Sequence, residues 1–408
     1  MTPAPTPPTP PTPQRLWMLP VPAVFLLAWG GNHFTPLLHL YETVGGYAPW
    51  QSNLLLGMYV FGLIPGLLVA AALSDRYGRR TVTLAGLASA AAGSVILACG
   101  MGSFTVLCIG RLFAGVGVGV AMSVGSSWIK ELSGREYDPE AKITAGAQRS
   151  SLTLTLGFAV GAGITGVLAQ WGPWPAQTPY VLHVLLCIVA ALPSARCPET
   201  VPDRRPQDAH PWWRDLTIPQ ASRRPFLRII VPAAPWVFAA AGVAYAVLPT
   251  VFEESLGDHT TIFATVLTVL TLGTGSATQP GVGWLNRVTR GRALPVGLVL
   301  LFLGMVLAAV TAATGSPVLA FVAALVLGGS FGICLVAGLL LAQALSTPQD
   351  LAGMTGIYYS IAYLGFLLPT VLAAVTGGTE YTAALAVVSA CCLVCAAAVA
   401  SGLSPKKK

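Results

Sequence analysis

Three groups of residues in this sequence could do chemistry, and none has the make-up of a catalytic centre. The stretch AALSDRYGRR places Asp75, Arg76, Arg79 and Arg80 around Gly78. An acid and three guanidiniums this close can pair with each other, with helix ends and with lipid phosphates through charge-assisted hydrogen bonds. Arg111 stands alone in CIGRLFAGVGVGV. In WGGNHFTPLLHLYE, Asn32, Thr35, His39 and Glu42 fall within about 80° of one another on a helix, and His33 points about 100° from the centre of that stripe. His39 and Glu42 can titrate near neutral pH when solvent access or a neighbouring charge changes. The sequence offers no metal-spaced His/Cys cluster, nucleophile elbow, Walker A loop or paired deep carboxylates. It therefore reads as a non-enzyme that needs no cofactor and has no direct ATP drive.

The elements that must position these residues are helices in lipid. Of 408 residues 54% are hydrophobic and 9% charged, against roughly 25% charged in an ordinary soluble domain. A bilayer core about 30 Å thick needs about 20 mostly apolar residues per helix. Twelve such spans follow in order: 17–41, 51–73, 81–101, 104–128, 143–170, 179–195, 226–251, 261–284, 293–313, 317–342, 353–376 and 380–402. The net charge of +7 is distributed by side. Lys and Arg occupy the ends and connections on one face, among them Arg76, Arg79, Arg80, Lys130, Arg135, Lys142, Arg204, Arg205, Arg287, Arg290, Arg292 and the closing lysines, while the other connections have none. That alternation predicts both termini in the cytoplasm. The basic excess then reports topology and contact with membrane lipids, and no nucleic-acid partner is expected.

Residues 1–16 read as a disordered cytoplasmic Pro/Thr tail. Residues 17–195 form a first six-helix bundle, 196–225 a cytoplasmic linker rich in Pro and Arg, 226–402 a second six-helix bundle and 403–408 a basic tail. Weak repeats cross the linker: Gly157 aligns with Gly365, Gly110 with Gly328, and NRVTRGR echoes DRYGRR. Two repeats of six helices are how secondary transporters place a substrate site at the repeat interface.

The pattern of Asp75, Arg76, Gly78, Arg79 and Arg80 between the second and third spans resembles the hallmark loop of the major facilitator superfamily, with Ala71 where the family usually has Gly. The resemblance covers span count, side of the termini and long middle connection. It implies an all-α membrane protein of twelve helices in two pseudo-symmetric bundles, closest in feel to drug:proton antiporters. Arg111 and Gly115 match a fourth-span motif of the family, with Ala114 in a place often polar. Gly157, Gly161, Gly163 and Gly166 resemble its antiporter glycine motif, with Ala162 and Thr165 as departures; as residues alone they allow close helix packing.

In this family the first, fourth, seventh and tenth spans line the cavity, so the resemblance implies that Arg111 faces the stripe of the first span. An aromatic wall of Tyr359, Tyr363 and Phe366 on the eleventh span, with Trp236 and Tyr245 on the seventh, could hold a lipophilic or cationic compound. Thr268, Thr271, Ser276 and Gln279 on the eighth add polarity, although hydroxyls in helices can bond their own backbone carbonyls. The expectation is a monomeric multi-pass transporter in the cell membrane, exporting small lipophilic compounds in exchange for protons. A proton-coupled importer of a small organic anion or metabolite, with Arg111 gripping a carboxylate, and a transport-inactive sensor or scaffold are the alternatives.

Overall fold

The computed structural model describes residues 15–142, 145–201, 218–346, 351–377 and 380–403. The Pro/Thr tract, the linker cations Arg204, Arg205 and Arg214, and the closing lysines lie outside the described residues. Among those described there is no strand. Twelve helical rods run back and forth: α1 (21–43), α2 (Pro49–Tyr77), α3 (Arg79–Cys99), α4 (Phe104–Leu132), α5 (Ala145–Trp171), α6 (Thr178–Arg196), α7 (220–252), α8 (260–288), α9 (Ala293–Thr314), α10 (Pro317–Ala344), α11 (351–376) and α12 (Tyr381–Gly402).

Among the described residues, ten continuous helical runs are long and apolar enough to cross a membrane. One of them, Gln220–Val288, joins two rods. The first rod is not among the ten because it is broken into helices Val21–Asn32 and Leu38–Thr43. The breaks have a sequence cause. Pro36 and Pro249 each open a 3-10 turn, Thr35–Leu37 in α1 and Pro249–Phe252 in α7, because proline removes a backbone donor and crowds the preceding turn. Leu364–Leu367 is a further 3-10 turn in α11, just ahead of Pro369. Wider π turns occur at Ala121–Gly125 in α4 and at Phe226–Ile230 and Val243–Val247 in α7. Such turns are uncommon and tend to mark working regions of a helix.

Helix neighbours repeat between the halves. In the first half α2 packs on α4, α3 on α4 and α1 on α5; in the second α8 packs on α10, α9 on α10 and α7 on the tightened turn of α11. Glycines set the closest crossings. A Cβ on Gly115 would collide with the Tyr59 carbonyl of α2, and one on Gly328 with the Thr271 carbonyl of α8. Gly157 approaches the Phe25 carbonyl of α1 as Gly365 approaches the Pro235 carbonyl of α7. The pairing of Gly157 with Gly365 therefore describes equivalent contacts. Gly328 instead does for α10 what Gly115, not Gly110, does for α4.

Across the halves α5 lies on α8 and α2 on α11. Gly166 abuts Thr265 of α8, and the Gln170 side chain donates to the Asp258 carbonyl at 2.8 Å and accepts from the Ile262 amide at 3.2 Å. These contacts lie at the end of the molecule away from the arginine-rich turns, so that end is closed.

Candidate functional site

Helices from both halves converge on a cavity of about 130 Å³. Asn32 of α1, Tyr59 of α2, Met122 of α4 and Ser151, Thr155 and Phe158 of α5 line it from one half. Phe238 and Tyr245 of α7, Ser276 and Gln279 of α8, Phe331 of α10 and Tyr359, Tyr363 and Phe366 of α11 line it from the other. The lining includes eight aromatic rings and no carboxylate, amine, guanidinium or imidazole. Phe238 stacks on Tyr363 with centroids 3.9 Å apart, and Tyr59 meets Tyr363 and Phe366 edge-on at 6.0 and 5.7 Å. The Tyr363 hydroxyl lies 3.1 Å from the Met122 sulfur, joining the halves across the cavity. Two of the π turns contribute here, through Met122 and Tyr245. The Tyr245 hydroxyl is buried and without a partner, so it is a polar handle open to an occupant. Ser276 instead donates to its own helix at the Leu272 carbonyl, 2.8 Å away, as Thr268 and Thr271 do to Ala264 and Leu267. Trp236 is only partly buried and does not line this space.

Arg111 is fully buried but lies behind the cavity wall. Its Nε donates to the Leu55 carbonyl of α2 at 2.9 Å, and its guanidinium sits 4.4 Å from the Phe34 ring centroid and 4.9 Å from that of Tyr59. Nη1 and Nη2 have no hydrogen-bond partner. Tyr59 thus shows one side to the arginine and lines the cavity as well. Gly115, one turn along α4, permits the close α2 approach that brings Leu55 within reach.

The first-span stripe is divided. Asn32 reaches the cavity. His33 and Thr35 are buried inside the first half with unpartnered polar atoms; His33 sits edge-on against Tyr180 and His183, with centroids 4.9 and 4.8 Å apart. His39 and Glu42 stand at the closed end. There His39 Nδ1 lies 2.8 Å from Glu253 Oε1, on the short helix Glu253–Leu256 that follows α7, and Glu42 feels the charges of both. Of the four α5 glycines, Gly157 and Gly161 fit against α1, and Gly163 and Gly166 face α8.

The charged loop forms its own network at the opposite end. Arg79 pairs with Asp75 at 2.8 Å and with Glu131 of α4 at 3.0 Å, and also bonds Ser74. Gly78 has φ +92°, a conformation that favours glycine, and the Glu199 side chain fills the space where a Cβ would be. Glu199 accepts from the amides of Arg79 and Arg80 at 2.8 and 3.1 Å, a carboxylate seated on the N-terminus of α3. Arg80 reaches toward the Ala195 carbonyl at 3.5 Å, and Arg76 lies 5.6 Å from the Tyr77 ring centroid. Trp128 donates to the Pro198 carbonyl, and Cys197 is buried beside it. Burial, with the Glu199 charge second, pushes the Cys197 thiol up to about 12.

Sequence reasoning missed Glu131, Glu199 and Glu253, as well as Met122, Phe158, Phe238 and Phe331. For the acids a signal existed. Each is a carboxylate close to the end of an apolar span, where acids contribute little to orientation and must have another reason. The aromatic residues gave none, since phenylalanines facing lipid, core and cavity look alike in a helical run.

The family model for the Major Facilitator Superfamily matches residues 21–370. Comparison with curated protein sequences returned no match. Among solved structures, a nucleoside transporter named NupG is similar at TM-score 0.72 and 12% identity, covering 96% of this chain and 99% of its own. A point mutant of it is similar at TM-score 0.73 and 12% identity, with 96% and 100% covered.

Proposed function

We propose that this chain, which belongs to the major facilitator superfamily, exports small, uncharged, lipophilic compounds in exchange for protons. The carrying observation is the cavity between the halves, walled by aromatic rings and neutral polar groups. Such a wall favours flat apolar solutes through stacking, and Asn32, Gln279 and Tyr245 can read one or two polar edges. A fixed ion would enter without a partner and pay its desolvation in full. The closed end opposite the arginine loops supports a state that loads from the basic face, which the charge distribution assigns to the cytoplasm. In this reading the protein works as a monomer in the cell membrane, with halves 17–195 and 226–402 rocking about the seam. Its partners are substrate, protons and lipid, and no catalysis or cofactor takes part.

The organic-anion reading would need Arg111 in the cavity, whereas Arg111 packs against Tyr59 and is not among the lining residues. A second reading survives on another observation. Both structural neighbours carry the name nucleoside transporter, and a neutral heterocyclic metabolite suits a stacking wall equally well.

The test is transport in proteoliposomes holding a pH-sensitive dye, offered uncharged aromatic compounds and nucleosides in parallel. Export of the former with opposite proton movement supports the proposal. Nucleoside uptake with protons moving in the same direction selects the second reading, and movement of nothing along any gradient leaves a membrane scaffold.

A further inference from the structure

Among the described residues, one ion pair crosses between the halves at the closed end, His39 with Glu253. His39 lies just past the Pro36 break of α1, and Glu253 just past the Pro249 break of α7. Each residue therefore sits on a short helical cap separated from its rod by a proline turn. Rods α1 and α7 hold matching places in the two halves, so the contact joins equivalent caps.

The 2.8 Å approach of His39 Nδ1 to Glu253 Oε1 lacks the alignment of a hydrogen bond. Its attraction then depends on the imidazole being charged. Histidine is the side chain whose charge ordinarily changes between about pH 5 and 8. Glu42, from the same cap, interacts with both, and Tyr381 of α12 with Glu42 and Glu253; Glu254, Asp258 and His259 follow Glu253 on its short helix and the next turn. Rod α8, which packs against the α1 cap, has no ionisable side chain over 260–278, and the first turns of α2 offer only Gln51, Ser52 and Asn53. No Lys or Arg lies on these stretches to compete with His39 for the two carboxylates. The pair keeps contact with solvent, with side chains 18% and 34% exposed, so a proton from the outer medium can reach it.

We propose that His39 and Glu253 form the proton-dependent latch of the outer end: protonated His39 binds Glu253 and holds the caps together, and loss of the proton lets them part. Glu253 is then the charged partner across the seam, and Glu42 lies beside both. The inference rests on the proton-exchange reading: His39 takes its proton from the outer medium and returns it there, so the latch gates the outer end by external pH and is not itself the transported proton.

Hydrogen exchange of the full chain in lipid nanodiscs, corrected for intrinsic rates, reads the latch directly in peptides covering 38–48 and 253–262. The wild type is expected to exchange there at least threefold faster at pH 8 than at pH 6. His39→Gln and Glu253→Gln should exchange fast at both values. His39→Lys, whose charge does not switch in this range, should stay protected at both, and Glu253→Asp should keep the wild-type response. A wild type with no pH response, or a response that survives in both Gln variants, overturns the proposal. The Lys and Asp variants decide it if a Gln variant fails to fold. Proteoliposomes that move compound without protons while the latch responds would defeat the exchange reading alone; protons that move while the latch does not respond would defeat this inference alone.

Discussion

Arg111 shows what a single buried cation can contribute when no carboxylate answers it. Its Nε holds the Leu55 carbonyl, and its plane lies against two rings, so it ties α4 to α2. Arg111→Lys loses the planar contact and keeps the charge. That change should cost about 1–3 kcal/mol and lower the thermal midpoint in detergent by several degrees. Arg111→Met removes the charge along with the bond and should unfold no earlier than the lysine variant, since an unpaired buried charge costs more than an apolar replacement. A lysine variant as stable as wild type would contradict the clamp. The Glu199 cap makes a separate prediction. Cys197 should resist maleimide at pH 7.5, where a thiol pushed up to about 12 is almost wholly protonated. Glu199→Gln, which removes the second cause of that shift and loosens the strap, should speed its labelling severalfold relative to exposed Cys99, read by mass spectrometry. From sequence, Arg111 was legible as a charge out of place, because one guanidinium in an apolar run is conspicuous. Its actual partners were not, because a backbone carbonyl and two ring faces leave no mark on hydropathy.

Helix packing sorts the glycines into two kinds. Gly115 meets backbone within its own half, where nothing can yield. Gly115→Val should therefore fail to assemble and run as aggregate in size-exclusion chromatography. Gly166 meets Thr265 across the seam, whereas Gly163 would bring a Cβ only to ordinary contact with Val269 at 3.6 Å. Gly166→Ala should thus wedge the closed end apart and raise thiol accessibility of a cysteine placed at Gln170, while Gly163→Ala leaves it unchanged. Equal behaviour of the two variants would refute the assignment. The rods themselves were legible because apolar length and charge alternation are local properties. Pro36, Pro249 and Pro369 stood in view, yet periodicity reads through a broken rod as one span. Whether a proline merely begins a new turn or divides a helix depends on what packs around it.

At the scale of the molecule, two bundles stiffened by glycine crossings meet along α2 with α11 and α5 with α8. Stiff halves joined by a softer seam move as bodies. The charge pattern predicts that tags on the two ends of the chain react with a membrane-impermeant reagent from the same, cytoplasmic face; reaction from opposite faces would undo the topology. The chamber between the halves carries a last consequence. At about 130 Å³ it has the capacity of an engineered hollow of roughly 150 Å³ that accepts benzene, room for a single ring. A rigid molecule of two or three fused rings could slip in from the basic side, stack on Tyr359 and Tyr363, and then prevent the walls from meeting behind it. Such a wedge would bind without travelling, and the transporter's own geometry thereby outlines the shape of its inhibitor.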